Sequence, residues 1–364
     1  MNDNDAASFP VLPRRYPDLG PFGDLARLAT ITLTVLLVAL SWYLLKELVF
    51  LLRPLFLAGF LAYIIVPVQS QIRKHSHSFF ARFALLAFVA LVLTLLYLII
   101  YRNIVEFSNS LPELSKKAED LIRNLPNFIR SHLPGTGDGG DNTGPGSKGM
   151  EAVRDYASGL INYTTGFFLE AIEVCFYLIF ILIEAGRLPE RIRLSFPDQR
   201  ATKILEVIAS INQAMADFLR VKVWASLILA VPICLVLWSM GIKFVSLWGV
   251  LFFLGNFVPY FGSFAAWCLV SAYCFLQLGL GWQAVALSAT LLVMRTLAAD
   301  LLEPRITGKA INVSPLVILL SLSFWSLCWG PVGMVLAVPL AVMLKIVMQH
   351  LPGSKPFADL MAEE

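Results

Sequence analysis

Ionisable residues set in apolar sequence are the first candidates for chemistry. Arg295 lies inside the apolar run 283–302, and Asp300, Glu303 and Arg305 follow it closely. A charge at membrane depth is costly and normally faces protein or water, so it marks a solute path, a proton relay or a structural pair. Asp300 and Glu303 stand three apart, on one helical face. Arg295 and Asp300 stand five apart, about 140° around a helix, which is poor geometry for a direct pair. The functional reading of this group is solute hydrogen bonding or proton exchange. The plainer reading is an inner-interface charge cluster that stops a helix, and it suits Glu303 and Arg305 better than Arg295. Glu170 and Glu173, again three apart, lie one turn into another apolar run. Carboxylates there suit proton or cation loading, or simply stand solvated in a vestibule.

A second set consists of breakers. The stretches Phe244–Leu278 and Pro315–Leu344 contain no Asp, Glu, Lys or Arg. Both exceed the roughly 20 residues one crossing needs. Each is interrupted, the first by Asn256, Pro259 and Gly262, the second by Gly330, Pro331, Gly333 and Pro339. Proline lacks an N–H and frees a carbonyl upstream, and glycine admits backbone shapes closed to other residues. Broken backbone survives at membrane depth only when sheltered by protein or lining a wet cavity. Freed carbonyls, with Asn256 and Ser321 or Ser323, offer hydrogen bonds to a small uncharged polyol. Trp325 and Trp329 supply an apolar wall to such a site, or merely pack the hairpin.

These candidates belong to a chain of 364 residues that is 58% hydrophobic and 15% charged, with a mean hydropathy of +0.73. Soluble domains average about 45–50% apolar and about 25% charged. The composition therefore predicts a polytopic helical membrane protein. A net charge of +3, spread along the chain, argues against a nucleic-acid partner. Five cysteines in apolar runs read as buried, inert thiols, and the four histidines are scattered. No metal site or cofactor is expected. No nucleophile–base or phosphate-loop spacing occurs, so an enzyme is the least favoured class.

The polar tail 1–24 does not resemble a signal peptide. Spans are expected over 25–45, 48–66 (ending at Pro67) and 83–101. The basic tail and the basic loop 67–82 belong inside, where short Lys/Arg-rich loops stay. Residues 102–163 then lie outside. Ile104, Phe107, Leu111, Leu114, Ala118, Leu121, Leu125 and Phe128 form a heptad-like seam there. Pro112 and Pro126 predict two or three separate helical pieces, packed on the protein itself or on another subunit. Residues 134–149 read as a flexible loop. A fourth span covers 164–185. A cytoplasmic amphipathic helix follows within 186–222, with Ile204, Ile208, Ile211, Met215 and Phe218 on one stripe. The core 223–349 holds a span at 223–240, a hairpin at 244–278, a span at 283–302 and a hairpin at 315–347; the tail is 350–364. Trp238, Trp248 and Trp282 form an outer aromatic belt, with Trp224 at the inner face. The fold class is all-α and polytopic: about six full spans plus two broken hairpins that start from opposite faces, eight spans if the hairpins are counted otherwise, with amphipathic surface helices. Whether the hairpins are re-entrant or cross fully is open, and both termini are expected inside.

The runs NFVPYFGS, EPRITGKAINVSPLVILLSL and FWSLCWGPVGMVLAVPL, with the earlier KEL..LLRPLFLAGFLAYIIVPV, resemble the autoinducer-2 exporter family of bacterial membrane proteins. The resemblance extends over roughly Leu28–His350 and is weakest over 102–163. Its most specific features are Glu303-Pro304-Arg305, Gly308, Pro315, the run Trp329-Gly330-Pro331 with Gly333 and Met334, and Pro339. It implies an inner-membrane permease, homo-oligomeric and pentameric, whose partners are the bilayer and a small polar solute. Export of the quorum-sensing furanone autoinducer-2 is implied for some members and Na+ or Li+ exchange for protons for others. The expectation carried forward is export of an autoinducer-2-like solute along the broken hairpins. The alternative is cation/proton antiport through Glu170, Glu173, Asp300 and Glu303. A non-transporting scaffold leaves the hairpins unexplained.

Overall fold

The structure is a computed structural model that describes residues 20–72, 78–123, 166, 168–259, 261–302, 313–351 and 353–362. The regular elements among the described residues are all helical. Residues 1–50 and 51–364 form two compact units. In the first, α1 (Gly20–Glu47) is apolar on every side, and none of its Arg27–Glu47 window is buried. Such a helix has no face suited to water and needs hydrocarbon or a neighbour around it.

α2 (Val49–Ile72) leads into the second unit and continues through Pro67, where a stop was expected. α3 (Ser78–Arg123) runs for 46 residues, about 70 Å, more than twice a bilayer's hydrocarbon thickness. It also carries straight through Pro112, so the expected division of its outer part fails there. A proline inside a helix costs roughly 3 kcal/mol, from the lost hydrogen bond and the ring clash together. Phe107 and Leu114, on either side of the proline, both pack on the main core and hold the helix on course. That is the self-packing role of the seam at Ile104, Phe107 and Leu114; the side chains of Leu111, Ala118 and Leu121 lie outside the described residues. Its continuation at Leu125 and Phe128, and the loop 134–149, lie outside the described residues.

α4 covers 168–185, and the short α5 (Leu188–Ser195) turns the chain into α6 (Asp198–Ser239). The amphipathic segment and the fifth span are thus one helix of 42 residues, not two elements. The change from polar to apolar sequence near Lys222 marks a change of solvent and not of backbone. Pro232 is absorbed as well. The first hairpin is α7 (Val245–Gly255) and α8 (Gly262–Leu278), with its turn at the expected place. α9 (Trp282–Thr296) follows and loosens into a π turn over Leu297–Leu302.

α10 (Pro315–His350) is two arms folded at Gly330, whose φ 63° and ψ −142° are open to glycine alone among common residues. The arms run back along each other, because Ser321 Oγ donates to Ala337 O at 2.7 Å. α11 (Lys355–Leu360) closes the described chain. Among the described residues, five helices are long and apolar enough to cross a membrane: α1, α3, α6, α9 with the start of its π turn, and α10; Val49–Tyr63 of α2, α7 and α8 are shorter apolar helices.

Four contacts gather helix ends. Arg53 meets Glu170, Tyr97 meets Phe168 at 4.5 Å, Asn103 meets Ser246 at 3.0 Å and Gln277 donates to Gly241 O at 2.8 Å. These contacts put the starts of α2, α4 and α7 and the ends of α3, α6 and α8 at one face. The main core joins α6, α7, α8 and α9 around Ile233, Leu237, Phe252, Val270 and Leu291. A smaller core joins α2 to α4.

Two expectations about side chains need correction. Trp238, Trp282 and Trp224 are exposed as belt residues should be, but Trp248 is buried. Its indole N–H donates to Lys243 O at 3.1 Å and its ring packs on Tyr273. Cys274 and Cys328 are buried, whereas Cys268 is exposed. A thiol behaves as a small hydrophobe, so hydrocarbon tolerates it.

Candidate functional site

The neck of the first hairpin is made by two glycines. A Cβ at Gly262 would lie 1.8 Å from Gly255 O, and one at Gly255 would lie 2.8 Å from Gly262 O. Backbone touches backbone there, so neither position has room for a side chain. Within the turn, Val258 N donates to Gly255 O at 2.9 Å and Phe261 N to Pro259 O at 2.7 Å. Pro259 thus supplies a turn carbonyl that is already engaged.

Four polar side chains surround this turn. Asn256 Nδ2 donates to Ser226 Oγ of α6 at 3.2 Å, and both residues are buried. Arg295 Nε, in the last turn of α9, donates to Ser263 Oγ at 3.3 Å. The Arg295 guanidinium also lies 5.6 Å from the centre of the Phe264 ring, a cation–π contact. Ser263 is buried and opens α8. Arg295 therefore faces protein, as an intramembrane charge must. The site joins three helices and a turn through hydroxyl, amide and guanidinium groups. Arg295 brings a positive group to the site, and the N-terminal end of α8 adds partial positive charge. The π turn begins two residues beyond Arg295, and such turns gather at functional sites.

The second hairpin is closed by the same device. A Cβ at Gly333 would lie 2.0 Å from Trp325 O. Ser321 ties the two arms together, whereas Ser323 Oγ bonds back to Leu319 O on an exposed face. Trp325 and Trp329 rings stand 4.5 Å apart, and buried Trp329 packs on Phe56 of α2 at 5.2 Å. Both tryptophans thus serve packing. An apolar cavity of about 270 Å³ lies beside this hairpin, lined by Phe56, Gly59, Tyr63, Ile181, Pro339 and Met343 among others.

The candidates read from sequence thus fall in three places. Asn256, Pro259, Gly262 and Arg295 come together at the first hairpin. Ser321, Gly330 and Gly333 come together at the second, and both hairpins pack on α6. Glu170 stands near the start of α4, where Arg53 holds it in a bidentate pair, Nη2 to Oε2 at 2.7 Å. Glu173, one turn on, is exposed. Asp300 lies in the π turn, but its side chain, and all of Glu303 and Arg305, lie outside the described residues.

Four residues escaped the sequence reading. Gly255 was legible as the mirror of Gly262, seven residues away. Arg53, a lone charge within an apolar run, had the same signal as Arg295. Ser226 and Ser263 had none, because small hydroxyls are common in apolar helices and only the fold brings these two to the turn.

Among the described residues no cluster of three or more His, Cys, Asp or Glu is placed to hold a metal ion. Comparison with known proteins identifies the family. The profile described as AI-2E family transporter matches residues 31–353. The AI-2 transport protein TqsA of Escherichia coli (strain K12) is 27% identical over 315 residues, 85% of this chain and 89% of the relative. YhhT of the same organism is 27% identical, covering 84% of this chain and 86% of its own length. PerM, also of that organism, is 24% identical, covering 84% and 88%. Broken hairpins with sheltered polar turns, and a match across nearly the whole apolar chain, lead to one conclusion: the chain belongs to the AI-2E family of membrane transporters.

Proposed function

We propose that this transporter exports a small, polar, uncharged solute of the autoinducer-2 type, and that the solute passes the first hairpin. The observation that carries the reading is the set Ser226, Asn256, Ser263 and Arg295 around the Gly255–Gly262 neck. These groups donate and accept hydrogen bonds in the way a polyhydroxylated ring requires. The name of TqsA points to the same solute class. The cation/proton reading has less support. Of its four carboxylates, Glu170 is committed to Arg53 and Glu173 is exposed.

In this reading both hairpins are re-entrant, the chain termini face the cytoplasm, and the assembly in the bacterial inner membrane is a homo-oligomer, a pentamer as in the family. Movement of a hairpin against α6 alternates access to the site. Proteoliposomes loaded with labelled autoinducer-2 or with sodium, under a fixed pH gradient, test the choice. The reading expects loss of the furanone at a rate well above protein-free vesicles, with sodium unmoved. Sodium flux without furanone flux overturns it.

A further inference from the structure

The second hairpin is pinned at its open end by the segment that follows it. Its first arm starts at Ser314, whose backbone N–H donates to Met361 O at 2.9 Å. Its second arm ends near Met348, whose carbonyl accepts from Ser354 Oγ at 2.8 Å. One short segment, 353–362, therefore holds the ends of both arms. The attachment is packed as well as hydrogen-bonded: Ala358 of α11 is 0% exposed. Lys345 on the second arm is buried and lies within reach of the Asp359 charge on α11. At the other end the hairpin pivots on Gly330, and Ser321 and Gly333 fasten the arms midway. Only the portion between Ser321 and the base is left to the clasp.

We propose that residues 353–362 are a built-in clasp, which holds the base of the second hairpin closed and must let go for the arms to part during the transport cycle. A segment bound only for anchorage would attach to one arm; bridging both makes it a limit on their separation. The local energy fits a releasable contact. Two hydrogen bonds and one small packed methyl form a weak attachment, within reach of a population shift. The clasp rests on the transport reading for its consequence but not for its existence.

The test uses the full chain in lipid nanodiscs with nitroxides on Leu316 and Leu344, both exposed and one on each arm near the base. Dipolar EPR distances are compared for three proteins: the full chain, a variant lacking 353–364, and S354A/D359N. The double variant removes only side-chain contacts and guards against misfolding of the deletion. Monodispersity in detergent and an unchanged helical circular dichroism signal establish folding. The clasp expects a second population several ångströms longer in both variants, larger in the deletion, with solute efflux changed at least threefold. Unaltered distances in both folded variants overturn the clasp whatever the flux. Longer distances with neither furanone nor sodium moving sustain the clasp and sink the transport reading instead.

Discussion

Replacing Gly262 by alanine is the sharpest probe of the first hairpin. The added methyl would stand 1.8 Å from Gly255 O and 2.9 Å from Val258 Cβ. Ordinary contact begins at 3.4 Å, so the two helix ends must separate by about 1.6 Å. The obstacle is backbone and no rotamer relieves it. Overpacking typically costs about 1–3 kcal/mol, and a rigid neighbour puts this case at the upper end. Gly59 in α2 supplies the control, since nothing lies within 4 Å of its Cβ position. Alanine there gains roughly 0.5–1 kcal/mol of helix preference. The two variants should therefore differ by about 3–4 kcal/mol, or roughly 5–10 °C in Tm. Thermal unfolding in detergent, followed by circular dichroism, reads the difference. Gly262→Ala should melt lower than the parent and Gly59→Ala at or above it. Equal Tm values for the two would refute the backbone contact at the neck.

Other outcomes follow from the same structure. Gly249→Ala places a methyl 2.3 Å from Cys234 Sγ, a side chain that can be shortened. It should cost about 1–3 kcal/mol, and Cys234→Ala in the same chain should restore most of the loss in a double-mutant cycle read by Tm. Arg53→Ala leaves Glu170, whose side chain is 11% exposed, without its bidentate partner. A loss of about 1–3 kcal/mol is expected, smaller for Arg53→Ala/Glu170→Gln than for Arg53→Ala alone. The carboxyl of Glu113, in the C-terminal part of α3, is held below the usual range by the Lys117 hydrogen bond, then by the charges of Lys117 and Lys243. Its folded pKa lies below its unfolded one. Its stabilisation is therefore present above the unfolded value near 4.3 and is lost as pH falls through the folded value. The Tm gap between parent and Glu113→Gln should be small at pH 6 and vanish toward pH 3.

The breakers told most of the fold, because their cost is local. Pro259 with Gly262, and Gly330 with Pro331, marked both hairpins correctly. Pro67 and Pro112 failed as breaks, since a proline's local cost can be outweighed by packing that sequence does not display. The π turn after Arg295 has no compositional mark at all; it is a change of hydrogen-bond register. Trp248 misled because Gly241 and Phe244, both at positive φ, fold the turn so that the ring tucks inward. For the site, the charge and the breakers were visible while their partners were not. Ser226 lies 30 residues from Asn256, and Ser263 lies 32 from Arg295, so only the packed helices join them.

The central claim is that solute passes the polar turn of the first hairpin. Efflux of labelled autoinducer-2 from proteoliposomes containing the parent, Asn256→Ala or Arg295→Gln measures it directly, with Ser323→Ala, whose hydroxyl bonds within its own arm on an exposed face, as the control. Efflux at least tenfold slower in the first two variants, with helical circular dichroism retained at the assay temperature, and unchanged in the third is the predicted result. Parental rates in Asn256→Ala and Arg295→Gln would contradict it.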